Sequence, residues 1–259
     1  MAKKQKNNNV TYLEQGQVYF FYKPKVETED VSSMNEVQRL YMVLHPYNEN
    51  RYRLLVLGQK KLPKVEEHQN YWAFVSRVLR DPDKLREDLK PESHKTKTRG
   101  VQHRGVARPA GEGVYGIVTH GDHTHLVYDM ELPNNEETNR RVQKAFRIRE
   151  KGSYVISVKN PEKPANKSVG LSGDKQASYP KKLQERFEDR KFISVNPPDF
   201  LNHEYAELVL VGAAGDYTKE LGIELNTEEE SLNTADVFED LRISREHYPL
   251  EPLFHGTWA

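Results

Sequence analysis

The chain has 259 residues, and its 39 basic side chains balance its 39 acidic ones. Because the net charge is zero, the chain as a whole is not drawn to nucleic acid or to a membrane surface, and any electrostatic function must come from local patches. The absence of cysteine excludes disulfides, thiolate nucleophiles and cysteine-bound zinc or iron–sulfur sites. The 14 Tyr, 9 Phe and 2 Trp side chains need a core to pack in, which predicts a folded protein.

Residues 1–9 (MAKKQKNNN) are basic and polar, which predicts a disordered basic tail. No apolar segment with a small-residue cleavage site follows them, as a secretory signal would need. No apolar run approaches the roughly 18 residues that span a bilayer. These features favour a cytoplasmic protein with no membrane partner.

Short runs rich in aromatic and β-branched residues predict strands along the chain. In chain order, the runs QVYFFY, VQRLYMVL, YRLLVL, SYVISV and AELVLV cover residues 17–22, 37–44, 52–57, 153–158 and 206–211. Between the third and fourth runs, Trp72, Val75 and Leu79 recur at helical spacing and predict a helix over residues 70–88, interrupted at Asp81-Pro82. A long loop is expected over residues 91–112. The expected fold is α+β, mainly antiparallel β-sheet with a few short helices.

The last part of the chain differs from the rest in charge. Residues 217–259 hold ten acidic and three basic side chains, and they end in an apolar stretch that includes Leu253, Phe254 and Trp258. We expect this acidic C-terminal segment to dock on a globular body formed by residues 10–216, which has a sub-boundary near residues 133–140.

The most distinctive motif is a histidine-bearing hairpin, GVYGIVTHGDHTHLVYDMEL, over residues 113–132. Gly121-Asp122 suits a two-residue turn, and such a turn places His120 opposite His123. In this register, His120, His123 and His125 all lie on the face that is not the core face. The predicted core face carries Tyr115, Ile117, Leu126, Tyr128 and Met130.

Three imidazoles on one face point to chemistry, because opposed cross-strand side chains lie about 5 Å apart and diagonal ones about 7 Å apart. His120, His123 and His125 are candidate ligands for a divalent metal such as zinc, with a water at the fourth position. Without a metal, the same residues are candidate catalytic acid–base groups. The simpler alternative is a solvent-facing hairpin tip, because HxxHxH lacks the specificity of an established zinc motif.

A positive patch precedes the hairpin. Residues 93–111 contain no acid, and their basic residues are Lys95, Lys97, Arg99, Arg104 and Arg108. We expect these side chains to bind an anionic partner such as nucleic acid or phosphate, since arginine offers paired hydrogen bonds to phosphate. The alternatives are a solvated loop and a loop neutralised by the acidic C-terminal segment. No established nucleic-acid-binding or phosphate-loop motif accompanies the patch.

The runs SYVISVKNPEKP, NPPDFLNHEYAELVLVGA and PLFHGTWA resemble those of an uncharacterised bacterial protein family. The resemblance covers most of the chain from Gly16 onward, and it implies no fold, activity or catalytic residue.

Two classes of function therefore stand. The first is a non-catalytic protein that binds an anion through residues 94–108 beside the histidine hairpin, and it is favoured because it needs less geometric coincidence. The second is a histidine-dependent hydrolase acting on a phosphoester, with or without a metal. A homo-oligomer is compatible with either class.

Overall fold

The computed structural model describes residues 10–96, 100–134, 140–164, 171 and 175–259. The predicted tail over residues 1–9, the residues Lys97 and Arg99, and most of the predicted sub-boundary near residues 133–140 lie outside the described residues. In the part of the chain that is described, no helix is both long enough and apolar enough to cross a membrane.

Antiparallel β-structure dominates the fold. In chain order the strands of the described residues are β1 (Val10–Pro24), β2 (Val37–Pro46), β3 (Tyr52–Leu57), β4 (Asn70–Leu79), β5 (Glu92–Thr96), β6 (Gly100–Arg104), β7 (Arg108–His120), β8 (His123–Leu132), β9 (Lys151–Lys159), β10 (Phe192–Ser194) and β11 (Glu207–Gly212). Eight of them close into a barrel in the order β1-β2-β3-β4-β11-β9-β8-β7, because β7 pairs back with β1. Strand β10 pairs with the end of β9, outside the barrel order. Strands β5 and β6 pair with each other and form a separate two-stranded sheet.

The helices are short and lie between or after the strands. They are α1 (Pro82–Leu89), α2 (Arg141–Phe146), α3 (Lys181–Gln184), α4 (Tyr217–Leu221), α5 (Asp236–Asp240) and α6 (Glu251–Phe254), with 3-10 turns at Met34–Glu36, Glu185–Phe187 and Pro198–Asn202. The prediction of a mainly antiparallel sheet with a few short helices is confirmed. The α+β label fits only approximately, because the helices form no layer of their own.

The predicted helix over residues 70–88 is wrong before the break at Asp81-Pro82 and confirmed after it, where Pro82–Leu89 forms α1. Asn70–Leu79 forms strand β4, in which Ala73 and Val75 are buried in the core and Phe74 between them is less buried. This alternation has the period of a strand, and pairing with β3 and β11 fixes it. The predicted loop over residues 91–112 is mostly strand as well, because it contains the β5–β6 hairpin and the start of β7.

Residues 18–24 of β1 are buried on both faces of the strand, which explains the unbroken apolar run there. Phe20 and Tyr22 belong to the core inside the barrel, whereas Tyr19 and Phe21 belong to a cluster on the outside. The outer cluster also contains Val237, Leu241, Ile243 and Leu253 of the C-terminal segment, residues 217–259. A second outer cluster joins Tyr217, Leu221 and Leu225 to Val114, Val118 and Val127. The C-terminal segment therefore covers two apolar patches on the outside of the barrel.

The antiparallel strand directions define two ends of the barrel. The connections over residues 58–69, 133–150 and 213–216 leave one end, which we call the cleft end. The turn between β7 and β8 and the connection over residues 160–206 leave the other end, which we call the hairpin end.

Candidate functional site

The histidine hairpin has the register predicted from its turn. His120 pairs with His123, Val118 pairs with His125, and Gly121 has a φ of 60°, which favours glycine at this position. The predicted core face is also observed, because Tyr115, Ile117, Leu126 and Tyr128 are buried in the core inside the barrel and Met130 packs against it.

The three histidines differ in environment. His123 is exposed, His120 is half-buried, and His125 is only 2% exposed, with its Nδ1 atom 3.3 Å from the Ser153 hydroxyl. Burial, together with the charges of His120 and His123, lowers the pKa of the His125 imidazole to about 4. The His125 ring is therefore neutral at neutral pH.

The structure brings two of the imidazoles near each other, but it does not gather all three. The rings of His120 and His125 have their centroids 6.0 Å apart. Among the described residues, the only group of three or more potential ligand side chains with ligand atoms within 4.8 Å of one another is a set of carboxylates that excludes the histidines. The zinc site at His120, His123 and His125 remains a prediction from the sequence.

Arg104 and Arg108, two described residues of the basic patch, do not lie beside the histidines. Arg108 starts β7 at the cleft end, and His120 ends the same strand at the hairpin end. Twelve residues of extended chain at about 3.3 Å each separate them by roughly 40 Å. For Arg104 and Arg108, the juxtaposition of arginine and histidine that a phosphoester hydrolase would need is therefore absent.

The described basic residues of the patch are partly used within the fold. Lys95 is exposed, but Arg104 forms an ion pair with Glu92 at 2.8 Å. Arg108 is 3% exposed, and its guanidinium donates to the carbonyl groups of Val106 and Glu29. Lys97 and Arg99 lie outside the described residues. The acid that meets Arg104 thus comes from β5, not from the C-terminal segment.

A different basic surface lies at the cleft end. A cleft of about 660 Å³ is bounded by residues 63–66, residues 140–151 and residues 215–216, which belong to three connections that leave this end. Six basic and three acidic side chains line it: Lys64, Arg140, Lys144, Arg147, Arg149 and Lys151, with Glu66, Glu150 and Asp216. We call this the basic cleft.

Ion pairs within the basic cleft leave positive charge unbalanced. Arg140 pairs with Glu150 at 2.7 Å, and Arg149 pairs with Glu66. Lys64 and Lys151 pair with Glu67 and Asp129, at 2.5 and 2.9 Å. Among the described residues, neither Lys144 nor Arg147 has a carboxylate partner. Lys144 is exposed on α2, so its ammonium group is available to a ligand.

Neutral groups hold the Arg147 side chain in place. Its Nη1 atom donates to the Gln69 side-chain oxygen at 2.9 Å and lies 3.3 Å from the Tyr71 hydroxyl. A cation fixed by neutral partners keeps its charge for a further ligand, and because its side chain is already ordered, it loses less conformational entropy on binding.

The sequence signal for the basic cleft is a dense positive run. Residues 140–151 (RRVQKAFRIREK) hold six basic side chains and one acid. The run matches no binding motif, and its partners at residues 63–66 and 215–216 are distant in the sequence. These segments meet because β11 pairs with both β4 and β9.

A cluster of carboxylates lies where the C-terminal segment crosses β7. Glu112 is fully buried, and its two oxygens accept hydrogen bonds from the N–H groups of Asp236 at 2.7 Å and Val237 at 3.0 Å. Burial raises the pKa of the Glu112 carboxyl to about 8. The charges of Asp236 and Glu230 also act to raise this pKa, whereas the two N–H donors act to lower it. Burial likewise raises the pKa of Glu131 to about 7. The hydrogen bonds that Glu112 and Glu131 accept from backbone N–H groups hold the C-terminal segment against the barrel.

No protein-family model, curated protein sequence or solved structure that was compared with the chain matches it.

Proposed function

We propose that the protein binds a phosphate-bearing anion of nucleotide size in the basic cleft. The observation that carries the proposal is the local charge: of the six basic side chains that line the cleft, Lys144 and Arg147 have no carboxylate partner among the described residues. The cleft volume of about 660 Å³ falls within the range of roughly 300–1,000 Å³ that is usual for small-molecule sites.

The proposal keeps the non-catalytic anion-binding function favoured by the sequence and changes its location. Arg104 and Arg108 are engaged by Glu92 and by backbone carbonyls, whereas Lys144 and Arg147 present charge without a carboxylate partner in the described structure. An arginine pre-positioned by neutral groups and an exposed lysine one helical turn away offer hydrogen-bond donors to phosphate oxygens.

Charge reversal of Lys144→Glu tests the proposal. The matched control is Lys182→Glu, since Lys182 is also an exposed helical lysine but lies on α3, outside the cleft lining. Reversing one charge about 6 Å from a phosphate changes the energy by about 1.4 kcal/mol in water, and salt at 0.1 M roughly halves this. We therefore expect Lys144→Glu to weaken binding by about threefold to tenfold.

Titration of the full chain with ATP, and separately with a short single-stranded RNA, measures the effect and distinguishes the two sources of phosphate. Binding of either probe at low salt, weakened by Lys144→Glu but not by Lys182→Glu, supports the proposal. If neither probe binds, or if both variants weaken binding equally, the basic cleft is not the site.

A further inference from the structure

The carboxylates under the C-terminal segment form a second site, separate from the basic cleft. Glu112 on β7, Glu230 and Asp236 each place one carboxylate oxygen so that all three oxygens lie within 4.8 Å of one another. Glu112 comes from the barrel, and the other two come from the C-terminal segment. The cluster therefore bridges two parts of the chain that are more than 100 residues apart in the sequence.

The burial of these groups is unusual for carboxylates. Glu112 is 0% exposed and Glu230 is 6% exposed. Carboxyl groups this deeply buried are normally either protonated or paired with a cation, because removing a lone charge from water is very unfavourable. In the described residues, no lysine or arginine forms an ion pair with Glu112, Glu230 or Asp236.

An unpartnered oxygen provides independent evidence for a ligand. The Oε2 atom of Glu230 is buried and accepts no hydrogen bond from the described residues. The neighbouring Glu131, which is 4% exposed, has a buried Oε2 atom in the same state. Buried acceptors are rarely left unsatisfied in native proteins, so such an oxygen marks a place for a water molecule or a cation.

The surroundings add negative rather than positive charge. Asp236 is close enough to Asp240, Glu230 and Glu228 to be affected by their charges, and its partner Gln17 is neutral. Asp240 in turn accepts hydrogen bonds from the Tyr19 hydroxyl at 2.6 Å and from His45 Nδ1 at 2.8 Å. A small cation is the ligand that would relieve this repulsion.

We propose that Glu112, Glu230 and Asp236 bind a calcium ion that fastens the C-terminal segment to the barrel. The ligand set consists of oxygens alone, which hard cations such as calcium prefer. It contains no imidazole or thiolate, the ligands that favour zinc or copper. Three carboxylates in a largely dehydrated site fit calcium better than magnesium, which usually keeps several waters and takes one or two carboxylates. Since the ligands come from both the barrel and the segment, calcium binds the docked arrangement.

Calorimetric titration of the metal-free full chain with Ca²⁺, after treatment with a chelator, is the first test. We expect one Ca²⁺ per chain and weaker binding of Mg²⁺. Because the ion binds the folded state, a hundredfold excess over the Kd should raise the melting temperature by about 5 °C or more. Absence of both binding heat and a change in melting temperature in the unmodified chain would overturn the proposal.

Paired variants locate the site. Glu230→Gln keeps the shape of the side chain and removes a ligand charge, and its matched control Glu229→Gln changes the adjacent, exposed acid. We expect Glu230→Gln to weaken Ca²⁺ binding at least tenfold and Glu229→Gln to leave it unchanged. Equal affinities for the two variants would place any bound calcium elsewhere.

Terbium luminescence gives a readout on the unmodified chain that does not depend on a variant folding. Tb³⁺ replaces Ca²⁺ in oxygen sites, and the nearby Tyr19, which contacts Asp240, would sensitise its emission. We expect emission on excitation of tyrosine that added Ca²⁺ suppresses. Absence of sensitised emission, or emission that Ca²⁺ does not suppress, would count against a calcium site at this position.

Discussion

The buried charge pair inside the hairpin end of the barrel gives the sharpest stability prediction. Arg53 on β3 is 0% exposed, and its two Nη atoms donate to the Glu14 carboxylate on β1 at 2.6 and 2.8 Å. Its Nε atom donates to the Asn202 side chain at 2.8 Å, and the Tyr115 hydroxyl donates to Glu14 at 2.7 Å. The pair joins β1, β3, β7 and the 3-10 turn that precedes β11.

Replacement of Arg53 by Met removes three of these four hydrogen bonds and leaves the Glu14 carboxylate without its cation. Breaking one partner of a buried pair typically costs about 3–5 kcal/mol. We therefore expect Arg53→Met to lower the free energy of unfolding by about 4 kcal/mol.

Urea denaturation followed by tryptophan fluorescence measures the change, and a double-mutant cycle isolates the pair. The double variant Glu14→Met/Arg53→Met removes both charges and leaves neither charge unpaired. Its loss in free energy of unfolding should therefore be smaller, by at least about 2 kcal/mol, than the sum of the losses of the two single variants. A loss below about 1 kcal/mol for Arg53→Met would refute the assignment of this pair as a strongly coupled buried interaction. A double variant whose loss equals the sum of the two single losses would refute it as well.

Three further predictions concern the hairpin and the C-terminal segment. The pKa of His125 is about 4 in the folded state, below its ordinary 6.5. The free energy of unfolding should therefore fall as the pH drops from 6.5 toward 4, because the unfolded chain takes up this proton first. A His125 NMR resonance that titrates at pH 6 or above would contradict this. Gly121→Ala places a Cβ at a φ of 60°, which should cost about 1 kcal/mol in urea denaturation, and no loss would mean that the turn relaxes. Leu241→Ala opens a cavity between the C-terminal segment and the barrel, with an expected loss of about 2–4 kcal/mol; a loss under 1 kcal/mol would show that this contact contributes little.

Local patterns in the sequence predict local pairing well. The register of the β7–β8 hairpin follows from one turn and from the two-residue period of a strand, so His120 and His123 are found opposite each other as expected. Strand β4 shows the limit of such patterns. Trp72, Val75 and Leu79 fit a helical spacing, but Ala73 and Val75 equally fit a strand, and only the neighbouring strands β3 and β11 decide between them.

Sites built from distant segments are not visible in a single sequence. The basic cleft combines three connections, and the carboxylate cluster joins Glu112 to Glu230 and Asp236. The pairing of β11 with both β4 and β9 brings the three connections together, and the path of the C-terminal segment across the outside of the barrel forms the carboxylate cluster. Arg108 and His120 lie only twelve positions apart in the sequence, but the extended strand β7 places them at opposite ends of the barrel.

Chemical-shift mapping of the labelled full chain with ATP tests the proposed function most directly, because it reports where the anion binds. The basic cleft predicts that amide resonances of residues 63–66, 140–151 and 215–216 shift together in a saturable manner. Shifts confined to the β5–β6 hairpin at residues 92–104 or to the histidines at residues 120–125 would contradict the account and return the site to the position first suggested by the sequence.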